Sequence, residues 1–396
     1  MKKITLFALC MLAASTVSFA QDDNEDKKFT LEVSGEVDAS FRNYNGDRFE
    51  NEHEGSKKAY MPCFAVYGEY NFAPRWTAAA DIEFVSGCGI QVDEISIARE
   101  LCNGISFKGG ILELPIGHHN AGWGYTEYFT NADPEGESNI ISTPLSEMGV
   151  ALFGELDCGI DYQLSVTSGM NPAYMSAQYW AYDCTQGFFG EDNTFTSPAY
   201  SLKLGYTGIE GLTLNAGVYY CADAVKNMEY ASLFKEQVNV KTPMTIWFAD
   251  AEYAHDYFTL RGSIMQGKMK NADKLTAFFA ANPDDVEWAD DGEIAKTAMT
   301  YMAEAGVNLK SIFYPETKGP DLVPFVHYEC YDTQNKVTDK DAKLDGSKVK
   351  EWAFGVNYRA NDNVTLKCNY TTRNLGADLR NMNEINLAVA YDLSIF

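Results

Sequence analysis

"FTLEVSGEVDASFR" (Phe29–Arg42) alternates without a break. Phe29, Leu31, Val33, Gly35, Val37, Ala39 and Phe41 are apolar or lack a side chain. Thr30, Glu32, Ser34, Glu36, Asp38, Ser40 and Arg42 are polar. Side chains on an extended strand repeat every two residues, so this segment reads as one long strand with a dry and a wet face. What decides the fold is where the water lies. It either surrounds a soluble protein or fills a ring whose dry face meets lipid.

The pattern recurs along the chain. Sixteen strands are expected at 29–42, 59–72, 75–86, 91–99, 104–114, 147–156, 159–169, 198–208, 211–221, 243–254, 257–268, 296–313, 321–332, 350–360, 363–374 and 384–396. Long links at 43–58, 115–146, 170–196, 222–242, 269–295, 333–349 and 375–383 alternate with tight turns such as Ala73–Pro74, Asp157–Cys158 and Asn361–Asp362. Only the short link 87–90 breaks the rhythm. Long loops on one rim, short turns on the other and an even strand count fit a membrane barrel. A β-sandwich would have shorter strands and no two-rim rhythm.

Fourteen residues tilted by about 40° rise roughly 35 Å, enough to cross a hydrocarbon layer. Aromatics also collect at both ends of the dry faces. Phe29, Phe72, Trp76, Tyr206, Tyr257 and Tyr358 mark the short-turn rim; Phe41, Tyr220, Trp247, Trp352 and Tyr370 mark the other. The expected fold is therefore an all-β, transmembrane antiparallel barrel over 29–396, with long extracellular loops and short periplasmic turns. Sixteen strands enclose a ring too wide for side chains to fill, so the wet faces line a channel.

The start of the chain agrees. Lys2 and Lys3 precede an apolar run from Ile4 to Val17, and Ser18-Phe19-Ala20 offers small residues for a cut before Gln21. Residues 1–20 read as a secretory signal, followed by a short acidic segment at 21–28. Removing Lys2 and Lys3 leaves 29 basic residues against 56 acidic ones, a net charge of −27 in the mature chain. That charge excludes nucleic acid as a natural partner. No later window is long and apolar enough for a transmembrane helix. The cysteines are scattered and form no CxxC pair, so a zinc site is not expected, and Cys102 with Cys158 is the best candidate disulfide.

Three stretches resemble the phosphate-selective porins: "GGILELPIG" (109–117), "TEYFTNADPEGESNIISTPLSEMGVALFGEL" (126–156) and "QGFFGEDNTFTSPAYSLKLGYTGIEGL" (186–212), with "NYTTRN" (369–374) near the end. The resemblance implies a trimeric sixteen-stranded porin of the cell outer membrane whose third long loop folds into the lumen. It departs from that family in charge. No Lys or Arg stands between Lys108 and Lys203, an interval that holds twelve acids. Carboxylate rings favour cations, whereas anion and phosphate pores need Arg or Lys.

Loop 115–146 is accordingly the expected constriction, with Glu127, Asp133, Glu135 and Glu137 as its acids. Inward parity assigns Arg42, Lys108, Lys203, Arg261, Lys310, Lys367 and Arg373 to the pore wall as bases. The same parity assigns Glu32, Glu36, Asp38, Asp81, Glu83, Glu252 and Glu304 as acids. Acids facing bases across a neck would set up a transverse field; the alternative is that the bases pair with wall acids. The expected function is passive diffusion of small hydrophilic solutes or ions, leaning toward cations, with no cofactor and no metal. The alternatives are a surface-binding barrel using its long loops and an anion or phosphate channel as in the resembled family.

Catalysis is not expected. The five histidines, His53, His118, His119, His255 and His327, accompany no GxSxG or HExxH motif. His118-His119 reads as a wet loop pair, and the acids at 22–26 match no calcium-loop pattern. Residues 273–282 form a short apolar helix, either a lid or a partner contact. Phe396 falls on the wrong parity for a closing aromatic, which points to a bulge or a frayed end.

Overall fold

The computed structural model describes residues 28–49, 54–85, 89–118, 124–131, 134–186, 194–283, 292–316, 319–376 and 379–395. The signal segment 1–20, residues 21–27, Asp133, His119 and Phe396 lie outside them. Sixteen strands run in chain order: β1 (Phe29–Arg42), β2 (Ser56–Ala73), β3 (Trp76–Val85), β4 (Gly89–Cys102), β5 (Ile105–Glu113), β6 (Ser146–Leu156), β7 (Ile160–Thr167) and β8 (Ala199–Ile209). They continue with β9 (Leu212–Cys221), β10 (Met244–His255), β11 (Phe258–Met269), β12 (Thr297–Val307), β13 (Asp321–Lys336), β14 (Lys348–Asn361), β15 (Val364–Asn374) and β16 (Met382–Ser394).

Each strand pairs antiparallel with its neighbours in sequence, and β1 pairs with β16 to close the ring. The seam runs from Glu32 opposite Ser394 to Arg42 opposite Glu384 with no slip, so β16 carries no bulge along this edge. Lipid offers no partner for a backbone N–H or C=O, and a closed ring leaves no edge unpaired.

Alternation then sorts the side chains. In β1, Val37 and Phe41 are each 48% exposed, while Glu36 and Asp38 are 0% and 2% exposed. The same division holds across the seam, where Ile385, Leu387 and Val389 face out and Asn386, Ala388 and Ala390 face in. Phe72 and Trp76 meet at 6.2 Å on the short-turn rim, and Tyr328 and Trp352 at 4.6 Å toward the other. The dry face looks out at lipid and the wet face looks in.

Three expectations need correction. The strand expected at 296–313 ends at Val307, because Asn308 bonds back to the β10–β11 turn, its N–H to Tyr257 O at 2.8 Å and its Nδ2 to Asp256 O at 3.0 Å. Residues Leu309–Phe313 turn into a short helix on the short-turn rim. Cys102 and Cys158 both reach that rim, but as separate, exposed thiols. The apolar helix, observed at Ala272–Ala281, buries Leu275, Phe278 and Phe279, so its apolar face is not offered to a partner.

That burial belongs to a larger feature that alternation could not show. On β8 to β12 the inward face near the long loops is apolar, with Ala199, Tyr219, Ile246, Phe248, Met265 and Ala298 buried. Loop residues Leu114, Ile140, Trp180, Phe234 and Phe278 pack onto it. Gly267 permits the closest approach, since a β-carbon there would enter the Trp180 ring. One side of the barrel interior is therefore a packed core.

The lipid assignment predicts a cost for charge on the outward face. Leu387→Arg should destabilise the barrel by about 2–4 kcal/mol, as for a charge near the bilayer midplane. Reversible unfolding from lipid vesicles measures it, and a change near zero would place this face outside hydrocarbon.

Candidate functional site

The segment between β5 and β6 leaves the wall and crosses the inside of the ring. Its base is pinned by Leu114 N–H donating to Leu145 O at 2.8 Å, with Leu114, Ile116 and Leu145 buried beneath the apolar core. Its middle leans on the far wall. Arg261 on β11 donates to Glu127 O at 2.8 Å, Asn357 on β14 to Phe129 O at 3.0 Å, and Lys367 on β15 to Thr130 O at 2.8 Å. Asn131 returns a bond to Asp38 on β1 at 3.0 Å. The Phe129 ring stacks on Phe325 at 5.5 Å under the Arg261 guanidinium, and it fits only because Gly306 has no side chain.

A helical turn at Glu135–Ser138 completes the docking. Gly136 N–H donates to Glu329 Oε1 at 2.8 Å, and Arg373 grips Glu135 through Nε at 3.0 Å and Nη2 at 2.5 Å. A β-carbon on Gly136 would collide with Thr300 and Glu329, so only glycine lets the turn sit this close to β12 and β13.

The four loop acids thus have different fates. Glu135 is held by Arg373 and the Tyr331 hydroxyl. Glu137 is buried and accepts the His118 N–H at 2.8 Å. Glu127 is exposed; desolvation by the surrounding loop pushes its carboxyl up, against the pull of the Gly124 N–H and Arg261. Asp133 lies outside the described residues. His118 is not a wet loop residue as expected: it is buried, with Nδ1 at 3.6 Å from Asp250 Oδ1. Burial disfavours its charged form, but Asp250 and Glu137 outweigh that and raise its pKa.

The bases with inward parity are mostly on the wall, and each has a carboxylate. Arg42 meets Glu384 at 2.9 Å, Lys108 meets Glu94 at 2.8 Å, and Lys203 pairs with Asp161. Arg261 joins Glu252 and Glu304, Lys367 meets Glu36 at 2.8 Å with both side chains fully buried, and Arg373 adds Glu351 and Glu384. Lys310 is the exception. It sits in the helix after β12, on the short-turn rim, where its ammonium bonds Gly319 O at 2.8 Å. The far wall is a neutralised seam that clamps the loop.

The near wall is different. Between the loop and β1–β5 lies an open cavity of about 390 Å³ lined by Glu32, Asp81, Glu83, Asp93 and Glu113, with Tyr125 of the loop. A second of about 600 Å³ continues from Asp81 and Glu113 past Glu94, Lys108 and Glu69 to Arg75 near the short turns. Asp81, Glu83 and Glu32 were expected on the pore wall. Asp93, Glu94 and Glu113 were missed as a group: the first two are adjacent in sequence, and both face the cavities only because a bulge at Asp93 of β4 interrupts the alternation.

Two further features escaped the sequence. Arg48 is buried at the loop rim, donating to Gly346 O at 3.0 Å, Gln178 O at 3.1 Å and Asn139 Oδ1, so it ties four loops together. His327 and Glu329 share the inner face of β13, and Glu329 stands opposite Glu351 of β14 in register. The first carried no periodic signal; the second was written as His-x-Glu on a strand.

Solved structures of outer-membrane channels share this architecture. The anion-selective porin from Comamonas acidovorans aligns over 93% of this chain and 100% of its own, with TM-score 0.55 and 10% identity. OmpF of Salmonella typhi, solved in complex with daunomycin, aligns over 94% and 99% with TM-score 0.58 and 12% identity. The outer membrane channel DcaP of Acinetobacter baumannii aligns over 94% and 99% with TM-score 0.55 and 10% identity. In sequence, the chain is 24% identical over 317 residues to an uncharacterized protein of Aquifex aeolicus (strain VF5), covering 77% of this chain and 68% of that one. No protein-family profile matches the chain. At these identities the likeness speaks for architecture, and the chain has the barrel fold of the outer-membrane porins.

Proposed function

We propose that this protein is an outer-membrane porin that passes small hydrophilic solutes with a preference for cations. The acid-lined corridor between loop 115–146 and strands β1–β5 carries the reading. Glu32, Asp81, Glu83, Asp93, Glu94 and Glu113 border it against two bases, Lys108, which Glu94 already neutralises, and Arg75 near the short turns. A neck lined by carboxylates attracts cations and repels anions. The arrangement that would select phosphate, an excess of unneutralised Arg or Lys along the path, has no counterpart among the described residues.

In this reading the loop narrows the channel mainly by its bulk. Glu135 and Glu137 serve to hold it, and the selecting charge lies on the wall opposite. Export through a leader cut near Ala20 and assembly into a homotrimer accompany the proposal; the first rests on the n-region and small residues, the second on the resemblance to trimeric porins.

In planar bilayers at low salt the reversal potential should have the cation sign. A carboxylate about 4 Å from a passing ion contributes roughly 1 kcal/mol in water. Asp81→Asn should therefore lower the cation-to-anion permeability ratio roughly fivefold. Reversal in the anion direction, or block by phosphate, would count against the proposal.

The loop can be tested separately. Gly136→Val should undock the helical turn from β12 and β13 and increase single-channel conductance, while Glu135→Gln alone should leave selectivity nearly unchanged. Unaltered conductance in the valine variant would put the narrowest point elsewhere. Arg373→Ala strands three carboxylates and should cost about 3–5 kcal/mol of stability, readable as a lower unfolding midpoint.

A further inference from the structure

His327, Glu329 and Glu351 bring one nitrogen and two carboxylate oxygens within 4.8 Å of one another on the inner wall, beneath the helical turn at Glu135–Ser138. They are 1%, 1% and 4% exposed. Three atoms at the centre of this group, His327 Nε2, Glu329 Oε2 and Glu351 Oε2, are buried without a hydrogen bond. Glu351 Oε2 has an ion pair with Arg373 Nε, whereas His327 Nε2 and Glu329 Oε2 face each other with no hydrogen bond, and such buried atoms are costly to leave unsatisfied.

Neighbouring groups account for everything except that facing pair. His327 Nδ1 lies 3.0 Å from Glu304 Oε2, and Arg261 fixes Glu304 at 2.9 Å. With Nδ1 engaged by the Glu304 carboxylate, loss of the Nε2 proton to an incoming ion would present a lone pair there, the arrangement that orients histidine toward a metal. Glu329 uses Oε1 for the Gly136 N–H and, at 3.4 Å, the Thr300 hydroxyl, so Oε2 is left over. Glu351 Oε2 lies 2.7 Å from Arg373 Nε, but Arg373 is divided among Glu135, Glu351 and Glu384. His327 Nε2 and Glu329 Oε2 stand 3.8 Å apart, too far for a hydrogen bond. Tetrahedral ligands about 2.1 Å from one zinc stand roughly 3.4 Å apart, so the two side chains need to close by a few tenths of an ångström to share an ion.

We infer that His327, Glu329 and Glu351 form a divalent transition-metal site, zinc being the cation best matched. One imidazole and two carboxylates supply three ligands at about 2.0–2.2 Å and leave a fourth position for water. The nitrogen donor disfavours calcium and magnesium, which take oxygen. The ion would offset the surplus of carboxylates over arginines and link β13 to β14. Through Glu329 it would also brace the docked loop.

Tag-free protein should be equilibrated with zinc chloride, desalted and assayed by mass spectrometry of the metal. About one zinc per chain is expected, with X-ray absorption showing a single imidazole among oxygen ligands. His327→Gln and Glu351→Gln should each weaken zinc binding roughly 100-fold, whereas His255→Gln on the rim should not. Folding of each variant is checked by its heat-modifiable migration in detergent gels. Less than about a tenth of an equivalent on the wild-type chain would overturn the site. So would two or more imidazoles or a sulfur ligand in the absorption spectrum, or undiminished binding in a folded His327→Gln protein. The wild-type measurements decide the matter even if both variants fail to fold.

Discussion

A backbone that crosses lipid must find every hydrogen-bond partner within itself, and the rest of this molecule follows from that. The pairing of β1 with β16 satisfies the last edge. Closure fixes two surfaces of opposite character, because successive side chains alternate. Leu387 and Val389 can face hydrocarbon only because Asn386 and Ala388 face the other way. The inner surface then has to be hydrated, packed or paired, and all three occur in different sectors of the ring.

Those sectors divide the labour. On β8 to β12, apolar side chains and four folded-in loops make a dry core that stiffens one side. On β11 to β15, Arg261, Lys367 and Arg373 are matched to carboxylates and hold the crossing loop through its carbonyls or Glu135, so charge there serves position. Along β1–β5 acids border open space. Ion pairs are most valuable where water is excluded, and removing one partner there strands the other. The bases therefore act as clamps, and the unmatched acids are left to act on what passes.

The strands were legible because a period of two survives any tertiary context: "FTLEVSGEVDASFR" and "VTLKCNYT" needed no further information. Parity also placed Arg42, Lys108, Arg261, Lys367 and Arg373 on the inner wall. It could not say which carboxylate each would meet, since those partners come from strands and loops distant in sequence. Lys310 was misplaced because the alternating count was carried past Asn308, where Leu309, Ile312 and Phe313 already showed helical spacing. The loop core was illegible for a different reason. Trp180 stands on irregular backbone with no period to read, and Phe234 and Phe278 lie on short helices whose spacing does not reveal the inner wall they pack against. Arg48 belongs to the same class.

The orientation of the alternation can be tested directly by spin labels on single cysteines at positions 384–390 of β16, in a background with the native cysteines replaced. Collision with dissolved oxygen, which concentrates in hydrocarbon, should peak at 385, 387 and 389 and fall at 384, 386, 388 and 390. A profile without that two-residue period, or one with its maxima on the even positions, would contradict a barrel that holds lipid outside and its charged groups within.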